Sequence, residues 1–264
     1  MMSVFVTLLC SVVGLIIGSF LNVVIWRVPR GESVVRPPSA CPQCGRQIRP
    51  RDNVPVVSWL LLRGRCRHCH THISARYPAV EVGTAALFAL AGWFFGLSWE
   101  LPAFLYLAAI SIALALIDVD VHRLPNAIVL PSYAVAGIML GGACVLRGEP
   151  GVILRVLLGG LALYAFYFAL VMIYPSGMGF GDVKLAGVLG MYLAFLGWPA
   201  LVVGAFLAFL LGGIVGAALM LTRNAGRKSR IPFGPYMVIG AWVGIFFGDG
   251  LADWYMGFMG LGQT

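Results

Sequence analysis

Long apolar runs with few charges among them set the first limit on what this chain can fold into. Of its 264 residues, 60% are hydrophobic and 11% charged, a balance foreign to a soluble domain. Once such runs enter hydrocarbon, their backbone N–H and C=O groups must be paired internally, which leaves helices or a closed barrel. The runs are continuous rather than alternating, so helices are expected. The expected fold is an all-α polytopic membrane protein with about eight transmembrane helices, near 4–26, 79–97, 102–118, 126–146, 152–173, 184–197, 200–222 and 234–257. The third and sixth are short enough that one could be partly re-entrant. The organisation read from these runs is a first transmembrane helix (1–26), a polar loop (27–78) and a helix bundle (79–264).

The net charge of +8 invites a nucleic-acid reading, but its distribution argues against one. Ten of the eighteen basic residues fall between Arg27 and Arg76, and four more between Arg223 and Arg230. Basic loops flanking apolar spans mark the cytoplasmic side. With the N-terminus outside and eight crossings, the loops 27–78, 119–125, 174–183 and 223–233 all fall on that side. The connections near Trp99, Glu149 and Trp198 fall outside. The first run is span-length and lacks a basic start and a small-residue cleavage site, so it is read as a retained helix. Gly14 and Gly18, Gly137 and Gly141, and Gly240, Gly244 and Gly248 recur at four-residue spacing, which predicts close helix–helix approach.

The loop 27–78 is too small and polar for an ordinary core and needs a staple. Cys41-Pro-Gln-Cys44 and Cys66-Arg-His-Cys69 supply it: two Cys-x-x-Cys knuckles, 21 residues apart, read as a zinc ribbon. Four thiolates close a tetrahedral site with no open position, so the expected Zn2+ is structural. A cytoplasmic loop makes disulfides the poorer reading. His68, His70 and His72 are nearby alternative ligands but read first as solvated loop residues. Cys10 and Cys144, inside apolar runs, read as small buried hydrophobes.

Two aspartates stand out against this background. Asp118 closes an apolar run, and Asp182 ends the glycine-rich stretch Gly177-Met178-Gly179-Phe180-Gly181-Asp182. A carboxylate at a membrane span is costly and marks a site. By the span count both lie at the cytoplasmic edge, where two carboxylates can share one proton and activate water. Asp120 competes with Asp118 but lies two residues further out, where water or headgroups solvate it, and on a different helical face. His122 and Arg123 read as interfacial residues. The plain alternative for Asp182 is a cap on the next helix. Lys184 could anchor at the interface, tune a carboxylate or meet an acidic group of a substrate.

At these residues the chain resembles the bacterial type IV prepilin peptidase family, the leader peptidases of type IV pilus and type II secretion systems. These are intramembrane aspartic proteases of the Gly-x-Gly-Asp type. Gly18-Ser19-Phe20-Leu21-Asn22-Val23-Val24, Arg27-Val28-Pro29, the double cysteine knuckle, Asp52-Asn53-Val54-Pro55, Leu62-Arg63-Gly64-Arg65-Cys66, Arg76-Tyr77-Pro78 and Glu81 carry the likeness over nearly the whole chain. In the family the first catalytic aspartate precedes a proline by seven residues, which fits Asp118 and Pro125; the second is that of Gly179-Phe180-Gly181-Asp182. The resemblance implies an enzyme of the bacterial cytoplasmic (inner) membrane with its active site facing the cytoplasm. It would cut a prepilin or pseudopilin after the glycine that ends a short basic leader, while the substrate's apolar helix stays in the bilayer. It further implies methylation of the new N-terminus from S-adenosylmethionine, with no donor-site residue assigned. Two other readings remain at this stage. One is a proton- or cation-coupled transporter using the paired aspartates; the other is a zinc-organised scaffold without chemistry of its own.

Overall fold

The computed structural model describes residues 2–174, 178–221 and 232–260. Gly177, the basic cluster Arg223–Arg230 and the last residue of the expected span 200–222 lie outside these. Among the described residues the regular structure is helical, apart from the isolated antiparallel bridges Ala40–Gln47 and Arg65–His72 in an otherwise irregular polar loop. Eight long helices appear: α1 (Met2–Arg27), α3 (Arg76–Phe95), α4 (Leu101–Val121), α5 (Asn126–Leu146), α6 (Gly151–Ile173), α7 (Phe180–Leu196), α8 (Trp198–Leu221) and α9 (Gly234–Phe258). A short α2 (Val57–Leu61) lies in the polar loop. Seven of the long helices have the length and apolarity to cross a membrane. The exception is α7, with 17 residues.

Two expected boundaries move, each for a local reason. The third span was expected at 102–118, but α4 has 21 residues and runs on to Val121. It stops where His122 takes a left-handed conformation, φ +53°. Pro125 then stands one residue before α5, at its N-cap in extended backbone. The sixth span was expected to begin at 184. Instead α7 begins at Phe180, because the Asp182 side chain reaches back to the Gly179 N–H and closes the first turn. Asp182 is therefore a first-turn helical residue, not a loop residue.

The chain divides into two compact units, Met1–Ala113 and Leu114–Thr264. In the first, α1 and α3 pack through glycines. A Cβ on Gly14 would stand 2.7 Å from the Ala85 Cα, and one on Gly18 2.7 Å from the Glu81 Cα. The predicted close approach is therefore real there. Asn22 on α1 donates from its carboxamide to the Tyr77 carbonyl at 3.2 Å, tying the lower ends of the two helices.

In the second unit α7 is the core: 13 of its 17 residues are buried, against α5, α6, α8 and α9. Gly160 of α6 meets α7 so closely that an added Cβ would lie 3.1 Å from the Gly187 carbonyl oxygen. Gly240, Gly244 and Gly248 of α9 lie against Ala200, Gly204 and Ala208 of α8 as their spacing predicted. The Gly137–Gly141 pair does not behave this way, since an added Cβ at Gly141 meets nothing within 4 Å among the described residues. At the far end of α7, Arg155 donates to the carbonyls of Ala194 at 2.6 Å and Phe195 at 2.7 Å. It thus satisfies acceptors that a helix C-terminus leaves unpaired and places a cation at the negative end of the dipole.

Candidate active site and metal centre

Asp118 lies on α4, three residues before the helix ends, and is 5% exposed. Its Oδ2 accepts the backbone N–H of Gly234 at 2.9 Å. Gly234 opens α9, with proline in the first turn, and its N–H is one of the donors a helix start leaves free. A side chain at 234 would displace the carboxylate, because a Cβ there would lie 2.8 Å from Oδ2. Asp182 is 7% exposed, and its Oδ2 accepts the Gly179 N–H at 2.9 Å. Each carboxylate thus has one oxygen tied to a helix N-terminus. The other oxygen of each has no protein partner among the described residues.

The two side chains occupy one electrostatic neighbourhood. Gly181 lets the loop after α4 close on α7: an added Cβ would stand 3.0 Å from the Leu124 Cβ. An aromatic cluster walls the site. Tyr167 of α6, itself in electrostatic range of Asp182, has its ring 5.1 Å from Phe209 of α8 and 6.3 Å from Phe233, just before α9. Two buried carboxylates beside such a wall are held where water contacts few other polar groups.

The neighbouring polar residues separate clearly. Asp120, on the same helix, is exposed on another face, as are His122 and Arg123 beyond it. Lys184 meets no carboxylate among the described residues; its Nζ donates to the Asn126 Oδ1 at 3.0 Å and lies 5.0 Å above the Phe180 ring. The part played by Gly234 was missed in the sequence. Its one signal was the Phe233-Gly234-Pro235 helix start, and nothing local ties that to a side chain 116 residues earlier.

The four cysteines of the polar loop converge. The Sγ atoms of Cys41, Cys44, Cys66 and Cys69 all lie within 4.8 Å of one another, with Cys41 and Cys69 at 3.7 Å. A tetrahedral Zn2+ with Zn–S near ~2.3 Å needs sulfurs about 3.8 Å apart, so the set fits such an ion. The two knuckles fold alike. Cys41 N–H bonds Arg46 O and Gly45 N–H bonds Cys41 O, both at 2.9 Å. Cys66 N–H bonds Thr71 O at 2.9 Å, and His70 N–H bonds Cys66 O at 3.0 Å. Each turn needs a left-handed residue four after its first cysteine, supplied by Gly45 (φ +67°) and His70 (φ +56°). His70 therefore has a backbone role, and His68 lies against the Arg46 guanidinium at 2.9 Å.

The thiols are not equivalent. Hydrogen bonds from the Thr71 hydroxyl and backbone bring Cys69 down to about 6. Backbone N–H groups of Cys44 and Gln43 lower Cys41. For Cys44 the Arg46 N–H pulls downward, but burial and the thiols of Cys41 and Cys69 outweigh it and push the group up to about 11. Beside the cluster, Arg67 grips both oxygens of Asp52 at 2.6–3.0 Å. Its guanidinium holds that carboxyl below the usual range.

A helix bundle carrying two buried aspartates, preceded by a four-cysteine loop, defines the class: a polytopic membrane protein with a paired-carboxylate site. Comparison with known proteins narrows this. The profile of the bacterial peptidase A24 N-terminal domain matches residues 12–95, and that of the type IV leader peptidase family matches 105–217. A Pseudomonas aeruginosa protein named prepilin leader peptidase/N-methyltransferase is 35% identical, covering 96% of this chain and 94% of its own. Proteins of the same name from Pseudomonas putida (38%; 93% and 91%) and Neisseria gonorrhoeae (36%; 92% and 91%) agree. The chain belongs to the type IV leader peptidase family. No solved structure matches it, and the transporter reading finds no support among these relatives.

Proposed function

We propose that this protein is a membrane-embedded aspartic peptidase that removes the short basic leader of type IV prepilins or pseudopilins and then N-methylates the new N-terminus. The family and the names of its relatives support both activities. One observation carries the residue assignment. Asp118 and Asp182, 64 positions apart in the chain, are both buried, each fixed through one oxygen and each with the other oxygen unengaged by the described residues. In this reading one carboxylate is ionised and takes a proton from water as it attacks the scissile carbonyl. The other is protonated and donates to the carbonyl oxygen. The tetrahedral intermediate then collapses as the leaving amine takes up a proton, and the pair returns to holding one proton between them. Backbone N–H groups on one oxygen of each keep the reacting oxygens aimed, which is where positional precision acts on rate.

Zn2+ on Cys41, Cys44, Cys66 and Cys69 is structural, organising the loop 27–78. S-adenosylmethionine, when bound, would supply an electrophilic methyl group to the new N-terminal amine. The basic loops favour an orientation in the bacterial inner membrane with the aspartates on the cytoplasmic side and the N-terminus outside. The substrate's apolar helix remains in the bilayer during cleavage.

The test is mass spectrometry of a prepilin incubated with the purified protein, with and without S-adenosylmethionine. The expected products are a mature chain cut after the leader's last glycine and, with donor present, the same chain heavier by one methyl group. An intact substrate under conditions where the protein is folded would overturn the reading.

A further inference from the structure

Several sequence pieces that hydrolysis leaves unused converge in the first unit. A cavity of about 330 Å3 opens between the lower half of α1 and the chain 34–55, within the size range of small-molecule sites, roughly 300–1,000 Å3. Ser19, Phe20 and Arg27 line it from α1, with Pro37, Asn53 and Pro55 from the loop. They come from one face-forming stretch of α1, Ser19–Arg27, and from two places in the loop, Pro37 and Asn53–Pro55.

The lining mixes flat apolar faces with unused polar groups. The Arg27 guanidinium donates to the Ser33 carbonyl at 3.0 Å and has no carboxylate partner among the described residues, so further N–H donors remain. The Asn53 carboxamide has no protein partner there either. The loop wall is fixed from behind. Glu81 of α3, 8% exposed, accepts the Val56 N–H at 2.7 Å and so holds a β-branched residue at φ +60°, a conformation such a residue rarely takes without support. On the other side, the Arg67–Asp52 grip ties Asn53's neighbour to the cysteine knuckle.

We propose that this cavity is the binding site of the methyl donor, with an adenine ring on Phe20 and the prolines, its polar edge on Asn53, and the donor's carboxylate on Arg27. The inference rests on the methylation reading above and assigns the residues that reading lacks. A planar base needs an aromatic or apolar face, a carboxylate needs a forked cation, and both requirements meet here in a wall held by the cysteine loop.

The test uses the full chain, zinc-loaded, in lipid nanodiscs. Binding of methyl-tritiated S-adenosylmethionine is measured by equilibrium dialysis for the parent and for Phe20→Ala, Asn53→Ala and Arg27→Gln. Loss of a stacking or forked contact should weaken binding about tenfold or more in the Phe20 and Arg27 variants. Leader cleavage and zinc content report that each variant is folded; if Arg27→Gln fails that check, Phe20→Ala decides. Parent-like donor affinity in folded Phe20 and Arg27 variants, with methylation intact, places the donor elsewhere and overturns the proposal alone. A parent that neither binds donor nor methylates a cleaved prepilin overturns the methylation reading itself. Loss of co-purified anionic phospholipid from Arg27→Gln, with donor binding unchanged, makes the cavity a lipid site and also overturns the proposal.

Discussion

Replacing Gly234 by alanine should slow catalysis without weakening the fold. The added Cβ would stand 2.8 Å from the Asp118 Oδ2 and 3.3 Å from its Cγ, whereas comfortable contact is roughly 3.5–4.0 Å. The carboxylate must retreat by about 0.5–1 Å, which breaks the 2.9 Å bond from the Gly234 N–H. A hydrogen bond to a charged group contributes about 1.5–3 kcal/mol, and about 1.4 kcal/mol corresponds to a factor of ten. The expected loss in kcat is therefore about tenfold to hundredfold, in line with the ~10²-fold cost of a 1 Å misplacement. Gly234 is the first residue of α9 and not at positive φ, so its backbone accepts alanine and the thermal midpoint should hold while activity falls. The assay is single-turnover cleavage of a prepilin in nanodiscs, with Gly141→Ala, where an added Cβ meets nothing among the described residues, as the neutral comparison. A kcat for Gly234→Ala within about twofold of the parent would refute the claim that this contact aims Asp118.

Asp118→Asn and Asp182→Asn each keep an acceptor for their backbone N–H yet cannot hold the shared proton, so both should lose cleavage while inserting and melting normally; near-normal hydrolysis in either would remove that residue from the mechanism. Cys41→Ser with Cys66→Ser should release zinc, measured by atomic emission on the purified protein, and an unchanged metal content would contradict the four-thiol site. Zinc affinity should rise with pH, because thiols must lose their protons to bind. With Cys44 near 11 a proton is displaced across the neutral range, and below about 6 Cys69 is protonated as well, so affinity should fall more steeply there. A chelator-competition series showing no pH dependence would contradict this. Arg155→Met would leave the Ala194 and Phe195 carbonyls unpaired, at about 1–3 kcal/mol for each buried group. A lower thermal midpoint is expected, and an unchanged one would mean that water replaces the guanidinium.

The spans and both aspartates were legible because apolar length and an isolated carboxylate are local signals. The cysteine cluster was legible for the same reason, since its ligand spacing is written in eight residues. What escaped depended on contacts across the chain. Asp182 looked like a loop residue because nothing in a glycine-rich stretch shows where the helix begins; its own bond to Gly179 decides that. Gly234 was silent because its meaning lies in Asp118, and Arg155 because the carbonyls it covers are 39 and 40 residues away. The Gly137–Gly141 spacing misled in the opposite direction: a four-residue period states what a helix permits, while the neighbour that takes it up is set by tertiary packing.

The brevity of α7 has a consequence for depth. At ~1.5 Å per residue, its 17 residues reach about 26 Å, short of a hydrocarbon layer near ~30 Å. Because neighbouring helices, not fatty chains, enclose it, the shortfall is absorbed inside the protein, and the polar first turn that carries Asp182 need not face oil.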